Sequence, residues 1–251
     1  MKRLVLILSV ILLSICGYSQ DSKSLFQEAN GLYLDGNHGK ALEKYLEIEK
    51  SYHISAELYY NIGNTYYKLG NIGRSILYYE RALNLSPGDE DLQFNLALAN
   101  ENTADKISPI PDLFYEKFWK SLQYMFSLNG WGYVFTIFYI LIIFLFGTRL
   151  FIRNSKGNIM LKRLIYMLTA VTIGIILITG SRIYIEKTTQ EAVIMSEVVA
   201  VFSTPSGDST ELFTIHEGTK TEILEESGEW LEIRLADGKV GWLLRSSVEI
   251  I

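Results

Sequence analysis

The chain has 251 residues, a formal net charge of −5, and 49% hydrophobic residues. A mildly acidic chain lacks the basic surface that nucleic acid requires, so we expect no nucleic-acid partner. Cys16 is the only cysteine, which excludes an intramolecular disulfide. The three histidines lie far apart in sequence and predict no metal site: His38, His53 and His216.

The N-terminus is typical of a secretory signal. Lys2 and Arg3 precede a 13-residue apolar run that ends at Cys16, and small residues follow. The run is too short to span a bilayer comfortably. We predict a signal peptide over residues 1–19, cut near Ser19 or Gln20. The alternative is a lipid anchor on Cys16.

A self-match at a spacing of 34 residues dominates the first half of the chain. The matched positions carry small residues, aromatic residues and two Gly-Asn turns: Ala29 and Gly63, Tyr33 and Tyr67, Gly36 and Gly70, Asn37 and Asn71, Gly39 and Gly73, Ala41 and Ser75, Tyr45 and Tyr79, and Ile48 and Ala82. A partial third copy places Ala97 at the position of Gly63. This period predicts stacked helix pairs, with Ala29, Gly63 and Ala97 at close helix contacts.

These positions resemble the tetratricopeptide (TPR) family over residues 22–106. The second copy matches best, at Gly63, Tyr66, Ser75, Tyr79, Ala82 and Pro87. The resemblance implies an α-helical solenoid that binds proteins in a groove lined by the first helix of each repeat. Carried over by position, the peptide-binding groove consists of Asn30, Tyr33, Tyr60, Asn61, Asn64, Tyr67 and Lys68, with Phe26 and Phe94 beside them.

The three asparagines of this set suit an extended peptide, because short amides pair with backbone N–H and C=O groups. The alternative is that the tyrosines are core residues and the asparagines are helix caps.

Residues 107–130 are predicted to be a linker followed by an amphipathic helix. Pro109 and Pro111 favour an irregular connection. From Leu113 to Leu128 the chain is rich in aromatic residues interspersed with polar ones. We expect this stretch to lie along a bilayer surface.

Two transmembrane helices are predicted at residues 131–148 and 164–184. No charged residue occurs between Ser121 and Thr148 or between Leu164 and Ser181, and both runs reach the length that a span needs. Aromatic residues near the ends would lie at the interfaces: Trp131, Tyr133, Tyr166 and Tyr184. The alternative is a buried helix pair in a soluble protein.

Residues 149–163 connect the spans and contain five basic residues and no acidic one: Arg149, Arg153, Lys156, Lys162 and Arg163. The positive-inside rule predicts that this loop is cytoplasmic. Both flanking regions are then outside, as the signal peptide independently predicts. In a bacterium this means the inner membrane, with the folded domains in the periplasm.

Residues 192–251 change from helical periodicity to alternation. Turn residues such as Asp237-Gly238 separate short runs of β-branched and aromatic residues. The predicted strands are Val198–Phe202, Thr221–Leu224, Trp230–Leu235 and Val240–Leu244. We expect a small all-β barrel.

The order of residues from Val198 to Ile250 resembles the bacterial SH3 family, most specifically in Gly228-Glu229-Trp230 and Gly241-Trp242. The resemblance implies binding of peptides or of cell-wall peptidoglycan, with Trp230 and Trp242 as the ligand surface. The alternative is that both tryptophans belong partly to the core.

The predicted fold class is a multidomain membrane protein with a TPR solenoid, a two-helix transmembrane hairpin and an SH3-like barrel. This order resembles the BatE-type family of the aerotolerance (Bat) operon in Bacteroidetes. The resemblance implies that the protein has membrane-anchored von Willebrand factor A proteins and a MoxR-type ATPase as partners.

These patterns leave three functional hypotheses to compare. The first is a membrane-anchored periplasmic scaffold for protein–protein interactions. The second is a cell-wall sensor that binds peptidoglycan peptides through the SH3-like domain. The third is an enzyme, which we do not expect, because no nucleophile–histidine–acid set, metal set or phosphate loop is found. No cofactor is predicted.

Overall fold

The computed structural model describes residues 23–51, 53–151 and 155–251, so the predicted signal peptide and Cys16 lie outside the described residues. Eight helices and one sheet make up this part of the chain. The helices are α1 (23–34), α2 (His38–Lys50), α3 (Ala56–Lys68), α4 (Ile72–Leu85), α5 (Glu90–Glu101), α6 (Phe114–Gln123), α7 (Leu128–Arg149) and α8 (Ser155–Thr188).

Helices α1 to α4 form the two helix pairs that the 34-residue period predicts. Gly36 and Gly70 follow the first helix of each pair with φ of 78° and 80°, a backbone conformation that glycine adopts at little cost. The side chain of Asn71 caps α4 by accepting a hydrogen bond from the N–H of Arg74. The predicted turns are therefore confirmed.

The repeat core lies between the paired helices. Its fully buried members include the predicted repeat positions Ala29, Ala41, Tyr45, Tyr79 and Ala82. A Cβ atom at Gly63 would lie 2.7 Å from ring carbons of Tyr79, so the predicted close contact at Gly63 is confirmed.

The third copy differs from this expectation. Ala97 on α5 is exposed, because the described chain has no second helix to cover it. Gln93 and Asn100 flank Ala97 one turn away on each side, and both are exposed as well. Helix α5 therefore ends the described array, and its uncovered side carries the polar Gln93 and Asn100 together with the exposed Phe94.

Helices α7 and α8 are long and apolar enough to cross a membrane. Only 6% and 22% of their most apolar stretches are buried within the structure. A core helix pair of a soluble protein would be mostly buried, so this exposure is compatible with a membrane anchor. Both helices extend past the predicted spans, and α8 already begins within the predicted basic loop.

The C-terminal region forms one antiparallel sheet of seven strands in the order β3-β2-β6-β5-β4-β1-β7. The strands are β1 (Gln190–Ile194), β2 (Val198–Phe202), β3 (Glu211–His216), β4 (Lys220–Ser227), β5 (Trp230–Arg234), β6 (Val240–Leu244) and β7 (Val248–Ile250). The predicted closed barrel is therefore wrong: the sheet is open, with β3 and β7 at its edges.

The β7 edge is covered by the repeats. Arg81 on α4 donates a hydrogen bond from Nη2 to the carbonyl oxygen of Ile250 at 2.7 Å and pairs with Glu249 at 3.4 Å. A cation that satisfies an edge carbonyl removes the need for a pairing strand there.

Helix α4 also holds the turn between β3 and β4. Glu217 in this turn accepts a hydrogen bond from the N–H of Gly73 at 2.9 Å, so it caps the positive N-terminus of α4. Two turns further along α4, Glu80 pairs with Lys220 at 3.0 Å. Apolar side chains close the contact, since Val193, Met195 and Ile251 pack against the repeat core.

The predicted linker takes part in this docking. Ile107 packs against the sheet core, and the N–H of Ile110 donates a hydrogen bond to the carbonyl oxygen of Ala236 at 3.0 Å. Just before them, Asp105 accepts hydrogen bonds from the backbone N–H and Nδ1 of His216, and from Oγ1 of Thr219. The repeats and the sheet are thus joined as one unit.

We expect Asp105→Asn to destabilise this unit at neutral pH by about 1–3 kcal/mol, because hydrogen bonds to a charged acceptor are lost. Burial raises the pKa of Asp105, but the hydrogen bonds from Thr219 and His216 outweigh it, and the pKa is lowered from its ordinary value of 3.8. The ionised carboxylate therefore contributes stability above that value, and this contribution is lost as pH falls through the folded pKa.

The measurement is the melting temperature of the full chain in detergent, at neutral and at acid pH. The melting temperature of Asp105→Asn should be below that of the wild type at neutral pH, and the difference should disappear at acid pH. The control is Asp208→Asn, at an exposed turn. An equal gap at both pH values would show that the charge of Asp105 does not matter.

Candidate functional site

The first candidate site is the groove face, which we define as the exposed side of α1, α3 and α5. Hydrogen bonds between side chains show that these three helices lie side by side. Nδ2 of Asn61 on α3 donates to Oδ1 of Asn30 on α1 at 3.2 Å, and Nδ2 of Asn95 on α5 donates to the Tyr60 hydroxyl on α3 at 2.6 Å. The structure therefore brings the predicted groove residues of α1 and α3 together.

The same tyrosine–asparagine bond occurs in both repeats. The hydroxyl of Tyr45 donates to Oδ1 of Asn30 at 2.6 Å, and the hydroxyl of Tyr79 donates to Oδ1 of Asn64 at 2.7 Å. Burial, helped by the nearby Tyr33 and Glu57, raises the pKa of Tyr45 to about 12. Both hydroxyls are donors at neutral pH, so each fixes the orientation of its asparagine amide.

This orientation leaves one donor group on each asparagine. Within the described part of the chain, neither Nδ2 of Asn30 nor Nδ2 of Asn64 donates a hydrogen bond to another residue, and both side chains are half-buried. The two amides occupy equivalent positions 34 residues apart. Two oriented, repeated N–H donors are suited to the carbonyl groups of an extended peptide.

Apolar side chains on α5 extend this face. Phe94 is 68% exposed and Leu98 is 36% exposed. The period places Phe94 at the position of Tyr60, as the sequence predicts, and Leu98 at the position of Asn64, which sequence analysis missed. Neither residue belongs to the repeat core. An exposed phenylalanine that supports no core is a mark of an interaction surface.

The remaining predicted groove residues frame this surface. Tyr33 and Tyr67 are half-buried, and the Tyr67 hydroxyl accepts a hydrogen bond from Nδ2 of Asn102 at 3.1 Å. Lys68 is exposed at the end of α3. Tyr45 and Tyr79 are core residues, whereas the tyrosines of the groove face keep partly open rings. The three asparagines lie within α1 and α3 and are not helix caps.

The second candidate site is an aromatic cluster on the sheet. Trp242 lies between Phe202 and Glu232 in the strand register, and the rings of Phe202 and Trp230 meet edge to face with centroids 5.7 Å apart. All three aromatic side chains are half-buried, while Val201, Leu231 and Leu243 on the opposite side of the same strands are fully buried. The structure therefore brings Trp230 and Trp242 together on one face.

Phe202 is a member that sequence analysis missed. Its signal was the alternation of β2, in which Val199 and Val201 point inwards and Phe202 must point outwards. The strand register places Glu232 opposite Trp242 and Glu225 opposite Glu232, so two carboxylates share the face of the cluster. An aromatic face with this charge favours ligands that carry a positive charge.

The described residues contain no group of three or more His, Cys, Asp or Glu side chains placed to hold a metal ion.

Comparisons with known proteins match two parts of the chain. A model described as "Tetratricopeptide repeat" matches residues 56–89, and one described as "Bacterial SH3 domain" matches residues 197–249. No curated protein matches the chain. A solved structure titled "Structure of NlpC2 from Trichomonas vaginalis" is similar over 26% of this chain and 26% of that chain, with 16% identity and a TM-score of 0.23. The chain thus contains a tetratricopeptide repeat and a bacterial SH3 domain, both of which suggest binding of other molecules.

Proposed function

We propose that this protein is a membrane-anchored scaffold that holds an extended segment of another protein on its groove face. The observation that carries the proposal is that one face presents the exposed Phe94 on α5 together with the oriented amides of Asn30 on α1 and Asn64 on α3. A peptide there would gain backbone hydrogen bonds from the amides and an apolar contact from Phe94. These are the two elements of extended-peptide recognition.

The membrane anchor is the α7–α8 pair, and we place the repeats and the sheet in the periplasm of a bacterium. Two features support this placement: the basic connection between α7 and α8, and the bacterial SH3 domain. A reporter inserted after Lys156 should be active only if it works in the cytoplasm, because five unopposed cations resist translocation. Activity of a periplasmic reporter there would reverse the orientation of both outer domains.

The finer proposal concerns the partner. The order of repeats, apolar helix pair and SH3 domain resembles the BatE-type family of the Bat aerotolerance operon. On that resemblance we propose membrane-anchored von Willebrand factor A-type proteins as partners. Co-purification from detergent extracts followed by mass spectrometry tests this assignment; recovery of unrelated partners would contradict it.

Replacing Phe94 tests the groove itself. We expect Phe94→Ser to reduce recovery of the co-purifying partner by tenfold or more, since losing a buried aromatic contact at an interface typically costs about 1.4 kcal/mol or more. Stability should be unchanged, because Phe94 is 68% exposed. Leu85→Ala on α4 is the matched control, since Leu85 is 42% exposed but lies on a helix outside the groove face.

Asn64 is less suited to this test. Alanine there would leave the hydroxyl of Tyr79, which is only 1% exposed, without its acceptor. Loss of the partner in Asn64→Ala, or in the double variant with Tyr67→Ala, would therefore not distinguish a loss of binding from a loss of folding. If Phe94→Ser retains its partner at the wild-type level, the groove face is not the binding surface.

The aromatic cluster supports a second function, a cell-wall sensor that binds peptidoglycan peptides. Its half-buried rings and the carboxylates of Glu225 and Glu232 suit the amino groups of such peptides. Purified sacculi should retain the wild-type chain but release Trp242→Ala and Trp230→Ala. Val198→Ala is the control, because Val198 is 59% exposed on β2 outside the cluster. Equal retention of all four proteins would exclude this function.

A further inference from the structure

Helix α6 has two chemically different sides. Its apolar residues recur at a spacing of three or four, and polar residues fill the positions between them. The apolar side consists of Phe114, Tyr115, Phe118, Trp119 and Leu122. The helix start is fixed, because Glu116 accepts a hydrogen bond from the N–H of Leu113 at 3.0 Å.

The aromatic side of α6 is uncovered in the described structure. Phe114 is 86% exposed, Phe118 67% and Trp119 40%. A helix of ten residues is too short to be stable alone in water. Its aromatic side therefore needs an apolar environment that another element of the described chain does not supply.

The end of α6 is tied to the outer ends of the apolar helices. Nε2 of Gln123 donates to Oγ of Ser181 on α8 at 2.9 Å, and Nε1 of Trp131 on α7 donates to the Gln123 carbonyl oxygen at 3.1 Å. Gln123 is itself only 1% exposed. Helix α6 therefore leaves the α7–α8 pair at the level where α7 begins and where a bilayer surface would lie.

We propose that α6 lies in the lipid–water interface, with Phe114, Phe118 and Trp119 at the boundary between headgroups and acyl chains. The occupant of its aromatic side is the phospholipid bilayer, because Leu122 on the same side of α6 packs against the cluster that contains Trp131 of α7 and Ile178 of α8, which joins this side to the apolar helix pair. Lys117, on the polar side, faces water and the headgroups. This inference rests on the proposed membrane anchor.

Interfacial binding of α6 has a consequence for the outer domains. Arg182 on α8 donates to the carbonyl oxygen of Gln123, the last residue of α6, and to that of Phe126 just after it. It also donates to the carbonyl oxygen of Asn84 on α4. A helix held flat on the membrane therefore also sets how the repeats stand above it.

Spin labels on single cysteines test the proposal in the full chain, with Cys16 replaced by serine. The protein is placed in vesicles of phosphatidylethanolamine and phosphatidylglycerol. Labels at Phe118→Cys and Lys117→Cys compare the two sides of α6, and Phe144→Cys, 64% exposed in the second half of α7, reports on the anchor. Collisions with oxygen and with a water-soluble nickel chelate are measured at each label.

We expect the ratio of oxygen to nickel collisions to be several-fold higher at residue 118 than at residue 117, and highest at residue 144. If residues 118 and 117 give equal, water-like ratios while residue 144 stays lipid-like, the anchor stands and the α6 proposal is overturned. The aromatic side would then belong to a protein partner. Water-like ratios at all three positions would overturn both the anchor and the proposal.

Discussion

Gly63→Leu is expected to destabilise the helical repeats by about 1–3 kcal/mol, the usual cost of overpacking a well-packed core. Even the first carbon of a new side chain would lie 2.7 Å from the Tyr79 ring, and Tyr79 is only 1% exposed. The ring cannot retreat without breaking its 2.7 Å hydrogen bond to Asn64. With only two full repeats, the array has little stability to spare.

The measurement is thermal unfolding of the full chain in detergent, followed by circular dichroism at helical wavelengths. Gly31→Ala is the matched control, because Gly31 also lies in a helix and nothing is within 4 Å of a Cβ atom there. This control should leave stability unchanged or raise it slightly, since alanine favours helix over glycine. An unchanged melting temperature in Gly63→Leu would mean that the repeat register is wrong.

Arg182→Ala is expected to have the largest effect, about 3 kcal/mol or more. The side chain is 0% exposed, and the guanidinium is paired with Glu186 and stacked on Tyr124. It also donates to the carbonyl oxygens of Phe126 at 2.8 Å and Asn84 at 3.3 Å. Alanine would remove the charged donor from these partly buried carbonyl groups and leave Glu186 unpaired, and each hydrogen bond of a charged group contributes about 1.5–3 kcal/mol.

Tryptophan fluorescence during unfolding in detergent measures this effect, because Trp131 lies against Phe126, with ring centroids 5.2 Å apart, next to the lost contact. Lys187→Ala is the control: it removes an exposed cation from the same helix. Arg182→Lys should rescue little, since a single ammonium group cannot reach several carbonyl groups as a guanidinium does. A wild-type melting curve for Arg182→Ala would show that α8 and the repeats are not joined through this residue.

The repeat geometry could be predicted from the sequence because it is local and periodic. A spacing of 34 residues places Gly63 at a close helix contact before any contact is seen, and the structure confirms it, with Tyr79 as the neighbour. The same period failed at Ala97. A repeat pattern shows that a helix face is suited to contact another helix, but it cannot indicate whether that second helix follows in the chain.

The docking of the sheet on the repeats could not be predicted. Glu217 and Lys220 have the sequence signature of ordinary turn charges, yet one caps α4 and the other pairs with Glu80. These contacts join residues about 140 positions apart and carry no periodic signal. The contacts of the linker could not be predicted for the same reason, since Ile107 gains its partners only when the sheet is in place.

The candidate sites show the same difference between features that a sequence pattern predicts and features that only the packed structure reveals. Trp230 and Trp242 were predicted from the resemblance to the bacterial SH3 family, whereas Phe202 needed the strand register. In the groove, the repeat register gave Asn30 and Asn64. The orientation of their amides depends on the hydroxyls of Tyr45 and Tyr79, which only the packed structure fixes.

The most direct measurement of the central claim is photo-crosslinking in intact cells. A photoreactive phenylalanine analogue replaces Phe94 on the groove face or, as the control, Leu85 on α4. The account predicts one discrete adduct with a second protein from residue 94 and none from residue 85. The adduct should be lost when an extended segment of that partner is fused to the chain as a competitor. Adducts of equal yield from both positions, or none from residue 94 while the partner still co-purifies, would contradict the claim that the repeats hold the partner in their groove.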